Sequence, residues 1–207
     1  MIKIGRRGSM SCNLEIQGSQ GHVAYPHLST NPINSLISIC NKLKEKPLDK
    51  GNRHFQRSNL EFTGINVENK VHNIIPARAK TRFNIRYNNL HTAVSLKKMI
   101  NNIVKSICKK NKTKYKIEFL TSGDSFLTKS GTTIEMVKKI IKKITKINPV
   151  LSTTGGTSDA RFIKKIAPCL EFGLVNKTMH RVDECVSITD LRKLTKIYGH
   201  ILKEYFQ

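Results

Sequence analysis

Apolar and polar positions alternate with two different periods along the first 120 residues. MSCNLEIQG (10–18) reads as a strand, SNLEFTGINV (58–67) and AKTRFNIRYN (79–88) alternate as strands do, and YKIEFL (115–120) closes the series. Between them, NPINSLISICNKLKE (31–45) spaces its apolar residues along one helical face, with Thr30 as the expected cap. A second amphipathic helix covers about 92–110. The order β-α-β-β-α-β predicts a ferredoxin-like domain over residues 8–120, an antiparallel sheet with two helices on one face.

After TSGDSF the pattern changes to a helix (131–147), a short strand VLSTT, a helix TSDARFIKKI, a strand CLEFGLV and a last helix from Thr189 to about Phe206. Such alternation predicts α/β layering, so the whole chain reads as α+β followed by α/β. Two strands and three helices make a poor sheet with unpaired edges. Residues 121–207, with 1–7 as a connecting segment, are therefore expected to form the C-terminal part of a larger α/β domain.

Composition narrows the partners. Lys and Arg total 37 against 14 acidic residues, a formal charge of +23. The lysines are spread through the helices among Ile and Asn, aromatic residues are 6% of the chain, and no nucleic-acid motif is present, so a nucleic-acid partner is not expected. Five widely spaced cysteines with no CxxC pair suggest reduced thiols. No apolar run approaches a membrane span and no leader pattern follows Met1, so a cytoplasmic protein with no membrane partner is expected.

Several short stretches could carry chemistry. NKTMHRVDECV sets His180 beside the one adjacent acidic pair, Asp183 and Glu184, yet no HxD, HExxH or Glu-Glu pair accompanies it. GRRGS (5–9) places two guanidiniums at a turn suited to carboxylates, or simply to solvent. QGSQGHVAYPH is a Gly-rich loop displaying His22, Tyr25 and His27. STTGGTSDARF opens a helix, so Gly155, Gly156 and Thr157 form either an anion cradle or a plain turn capped by Ser158 or Asp159. VHNIIP and FNIRYN add Asn73 and Arg86, and periodicity leaves the face of Arg86 open.

Taken in order, GRRGS, QGHVAYPH, NPI, HNIIP, FNIRY, STTGGTSDARFI and EFGLVNKTMHRVDE resemble the succinyl-diaminopimelate desuccinylases of the dinuclear-zinc aminoacylase and carboxypeptidase superfamily. The resemblance covers essentially the whole chain. It implies that 8–120 is a lid that builds a homodimer and that the rest ends a zinc-hydrolase catalytic domain. His180 matches the last zinc-binding histidine of a two-zinc site, with cobalt an alternative metal. His22 matches a lid histidine that reaches into the partner subunit's site and steadies an oxyanion. Arg6, Ser9, Tyr25, Asn73, Arg86, Gly156 and Thr157 match positions that bind a small-molecule substrate.

The resemblance also implies that the other zinc ligands and the glutamate base lie upstream of the lid. The chain opens with Met1 where the lid begins, so it is expected to be a C-terminal fragment, inactive alone, with a separately encoded N-terminal catalytic segment as a candidate partner. The rivals are a non-catalytic dimerising module and another deacylase of the same superfamily. His72 stands beside Asn73 where the family pattern leads one to expect a small or hydroxyl residue.

Overall fold

The computed structural model describes residues 1–175 and 177–207 and divides them into two compact units, Arg7–Phe126 and Met1–Arg6 with Leu127–Gln207. The first contains strands β1 (Gly8–Gln17), β2 (Asn59–Asn66), β3 (Arg78–Tyr87) and β4 (Lys114–Gly123), with helices α1 (Pro32–Lys44) and α2 (Ala93–Lys110). The strands pair antiparallel in the order β2-β3-β1-β4, the arrangement expected of β-α-β-β-α-β connectivity. Period-2 burial puts Met10, Cys12, Leu14 and Ile16 of β1, and Phe83, Ile85 and Tyr87 of β3, against the helices. Leu96, Ile100, Val104 and Cys108 recur every four residues and form the facing stripe of α2.

Local chemistry fixes the helix ends. Asn31, not Thr30, caps α1, its side chain accepting from the Ile33 amide at 2.9 Å just before Pro32. Thr92 and Ser95 form a reciprocal capping box on α2. Gly8 must be glycine because a Cβ there would lie 2.4 Å from the Tyr87 ring. That ring cannot yield readily: its hydroxyl donates to Asp124 Oδ1 at 2.7 Å.

In the second unit, Ile2–Lys3 pairs parallel with Leu151–Ser152, and helices α3 (Thr132–Thr145) and α4 (Ile188–Tyr205) pack together. Ile2, Ile4, Ile134, Val137, Ile140, Ile141 and Ile197 form its core. Ser187 caps α4 by accepting from the Asp190 amide. Two sequence expectations shrink here. TSDARFIKKI yields a single helical turn at Ala160–Ile163 followed by turns, and CLEFGLV pairs only where Glu171 bridges Lys3. A strand needs a partner along its length, and the Ile2–Lys3 segment is two residues long. No helix among the described residues is long and apolar enough to cross a membrane.

Candidate functional site

The candidate residues fall into two groups by unit. In Arg7–Phe126, the Gly-rich loop after β1 is held by a short ladder in which Gly21–His22 pairs with Ile74–Ile75. The Val23 amide donates to the Asn73 carbonyl at 3.1 Å, which sets Asn73 beside the histidine turn. His22 is exposed, and its Nδ1 accepts from the Ala24 amide at 3.1 Å. In the neutral ring this leaves Nε2 as the protonated nitrogen, a donor available to a ligand. Tyr25 lies 5.9 Å from the His22 ring and 6.4 Å from that of His27, centroid to centroid. A groove of about 440 Å³ opens beside this loop, lined among others by Val23, Asn31, Asn69 and His72.

The face of Arg86, open from sequence, is settled by its strand neighbours. Phe83, Ile85 and Tyr87 occupy the helix side of β3, so Arg86 lies on the helix-free face. Ser9 and Asn59 are its cross-strand partners on β1 and β2. Ser9 is buried, and the Asn84 amide donates to its hydroxyl at 3.4 Å. Arg86 makes no ion pair among the described residues.

In the second unit Arg6 is committed to internal contacts. Its Nε meets Glu171 Oε2 at 2.5 Å and its Nη1 donates to the Thr154 carbonyl at 3.1 Å. Gly155 adopts a left-handed φ of 104°, and a Cβ there would lie 2.6 Å from Arg6 Nη1, so glycine is what lets the guanidinium approach this turn. Gly156 and Thr157 follow directly, the first exposed and the second partly so. The helix beyond them is one turn long, so a helix-terminus field adds little to an anion cradle.

His180 is exposed and left-handed, with φ of 61°, and its amide donates to Glu184 Oε2 at 3.1 Å. The loop around it is closed by Thr178 Oγ1, which donates to the Cys185 carbonyl at 2.9 Å and lies 3.0 Å from the Cys185 amide. No group of three or more His, Cys, Asp and Glu that could hold a metal ion occurs among the described residues. The donor set around His180 therefore does not fit a two-zinc centre, which needs several converging carboxylates and imidazoles.

Arg7 of GRRGS is a further residue of interest that sequence alone does not single out. Its Nη1 donates to Asn59 Oδ1 at 2.8 Å, on the first residue of β2. Burial lowers its pKa, and the neighbouring charge of Arg86 lowers it further. The doubled arginine was the available signal. Only the fold shows that the two arginines of GRRGS belong to different units.

A family model described as the peptidase dimerisation domain matches residues 4–112. Succinyl-diaminopimelate desuccinylase of Pelagibacter ubique is 62% identical over 206 residues, which is 100% of this chain and 54% of that protein. Its counterpart from Paracoccus denitrificans is 47% identical over the same shares. The chain thus spans about half the length of the relatives it matches. Among solved structures, the aminopeptidase PepT of Bacillus cereus superimposes with a TM-score of 0.83 at 17% identity, over 100% of this chain and 54% of that one. A tripeptidase from Staphylococcus aureus gives 0.81 at 15% identity, over 98% and 52%. At these identities the structural likeness speaks for the fold alone.

Proposed function

The chain belongs to the peptidase dimerisation domain family, and from that membership we propose that it forms the lid and the C-terminal catalytic part of a succinyl-diaminopimelate desuccinylase. Such an enzyme hydrolyses the amide of N-succinyl-LL-2,6-diaminopimelate to succinate and diaminopimelate, a step of lysine biosynthesis. The observation that carries this reading is the 62% identity to the Pelagibacter ubique enzyme along the whole chain. The arrangement of the lid loop supports it.

In this reading the residues divide the work by charge. His22, with Nε2 carrying the proton, donates to the oxygen on which negative charge develops as the amide carbonyl is attacked. Arg86 and Ser9, cross-strand neighbours on the helix-free face, hold a substrate carboxylate. Tyr25 and Asn73 flank the histidine and orient the substrate. Arg6, already bound to Glu171, steadies the turn at Gly155, beside which Gly156 and Thr157 are substrate-binding candidates. His180 would supply one imidazole to a metal centre whose other ligands the described residues do not provide; zinc held there would supply Lewis-acid chemistry to the carbonyl and to water. The described residues do not complete that centre, so the chain by itself is expected to be silent. Two copies pair through the Arg7–Phe126 unit, and His22 then serves the partner subunit's site.

The test joins the unmatched part of the Pelagibacter ubique enzyme to this chain and measures hydrolysis of N-succinyl-diaminopimelate with added zinc, beside the 207-residue chain alone. Turnover by the chimera, abolished by His22→Ala and by His180→Ala, is the expected result. A folded, dimeric but silent chimera overturns the enzymatic reading and leaves a dimerising module.

A further inference from the structure

Arg7 and Arg86 place two guanidiniums close together at one end of the same sheet. Arg7 precedes β1 and reaches Asn59 at the start of β2, and Asn59 is the cross-strand partner of Arg86. Two like charges at such a spot repel and are normally separated or neutralised. Neither arginine has a carboxylate partner among the described residues.

What holds Arg7 there is a set of neutral oxygens. Besides Asn59 Oδ1, its Nη1 approaches the Arg57 carbonyl at 3.5 Å. With the Gln56 amide turned so that its oxygen faces Arg7, that oxygen accepts from Nη1 and Nη2 at 3.1 and 2.9 Å. The Nε of Arg7 is buried and has no acceptor among the described residues. Carbonyl and amide oxygens fix the planar group without cancelling its charge, as a carboxylate would. The charge therefore stays in place beside Arg86 and beside whatever Arg86 binds.

We infer that Arg7 is a positioning residue for an anion site on this chain: anchored by neutral acceptors, it leaves Arg86 unpaired and doubles the positive charge offered to one carboxylate of a ligand. The inference rests on the reading of Arg86 as a carboxylate binder and adds to it a partner that does not itself grip the ligand. A merely structural role, pinning the chain around Gln56 to the start of β1, would need the fork of Arg7 and not its charge.

Succinate serves as the probe, titrated into the full chain and followed by amide and arginine side-chain NMR. Arg86→Gln is expected to remove saturable binding. Arg7→Gln is expected to weaken binding about tenfold, the order of one charge-assisted contact, and Arg7→Lys to recover most of that loss because the charge returns without the fork. Affinity of Arg7→Gln within about twofold of the parent, in a chain whose amide spectrum stays dispersed, overturns the inference. So does an Arg7→Lys chain that binds as poorly as Arg7→Gln, and so does a parent chain with no saturable binding. If Arg86→Gln binds as the parent does, the carboxylate reading of Arg86 fails as well. Loss at Arg86 with indifference at Arg7 sinks the positioning role alone.

Discussion

In the Arg7–Phe126 unit four strands of eight to ten residues pair along their lengths beneath two helices, whereas the other unit sets two-residue strand pairings beside two long helices. Both follow the same helical logic. The buried stripe of α2 steps by three and then four residues, and that of α3 places Ile134, Val137, Ile140 and Ile141 on one face, so each follows the helical repeat. They differ in what faces the stripe. The first unit closes its core with a continuous sheet, while the second leaves Ile166, Val182 and Ile188 among its largely exposed apolar side chains. Sheet pairing over many residues, more than helix amphipathicity, separates a self-sufficient core from a partly open one.

Amide exchange of the full chain tests this contrast most sharply. The ladder amides at the centre of β1 and β3 are expected to exchange slower than those of residues 164–175 and 177–187 by on the order of a thousandfold or more, because the latter have few regular partners among the described residues. Protection of residues 169–175 equal to that of β3 would erase the distinction and would mean that CLEFGLV pairs along its length.

A smaller effect is expected at the tightest point of the first unit. Gly8→Ala would bring a methyl to 2.4 Å from the Tyr87 ring, which is fully buried and tied to Asp124. Overpacking of this kind costs about 1–3 kcal/mol. The expected sign is a loss of protection across β1 and β3 with α3 and α4 unchanged. A neutral Gly8→Ala would show that β1 and Tyr87 can separate, and the description of the ring as fixed would fall.

How much was legible in sequence follows the same division. The six elements of the first unit were readable because a strand or helix that packs on one face writes its period into the chain, as 79–88 does. The face of Arg86 was not readable: alternation identifies two faces and does not say which one the helices cover. The last strand, CLEFGLV, is apolar enough to read as one, yet pairing depends on a neighbour that its own residues do not encode. Among the candidate site residues, His22 and Gly156 announced themselves through glycine-rich surroundings. Arg7 did not, since the groups that hold it, Gln56, Arg57 and Asn59, lie about 50 residues away.

The smallest effect concerns how those holding groups are themselves held. Asp49, its side chain 7% exposed, accepts from the Gly51 amide at 2.6 Å, from the Ser58 amide at 3.2 Å and from Asn88 Nδ2 at 2.8 Å, and so shapes the connection that presents Gln56 and Arg57 to Arg7. Burial alone would raise its pKa, but the hydrogen bonds from Ser58, Asn88 and Gly51 together outweigh it and lower the pKa below the ordinary aspartate value. A carboxyl whose pKa is depressed by folding contributes stability that is present above its unfolded value, about 3.9, and is lost as pH falls through the lower folded value. Asp49→Asn removes the charge and keeps one acceptor, so near neutral pH it should cost on the order of 1 kcal/mol, read from β3 amide exchange. Below the unfolded value of about 3.9 the gap between the two chains should begin to shrink, and it should close as pH falls through the depressed folded value and the parent protonates Asp49 itself. A gap of constant size from pH 7 to pH 3 would mean that the carboxylate's charge does not matter and that only its shape organises the loop. If the gap closes as expected, succinate affinity of Asp49→Asn at pH 7 should fall as well, by less than for Arg7→Gln, since the arginine stays in place while the oxygens that fix it loosen.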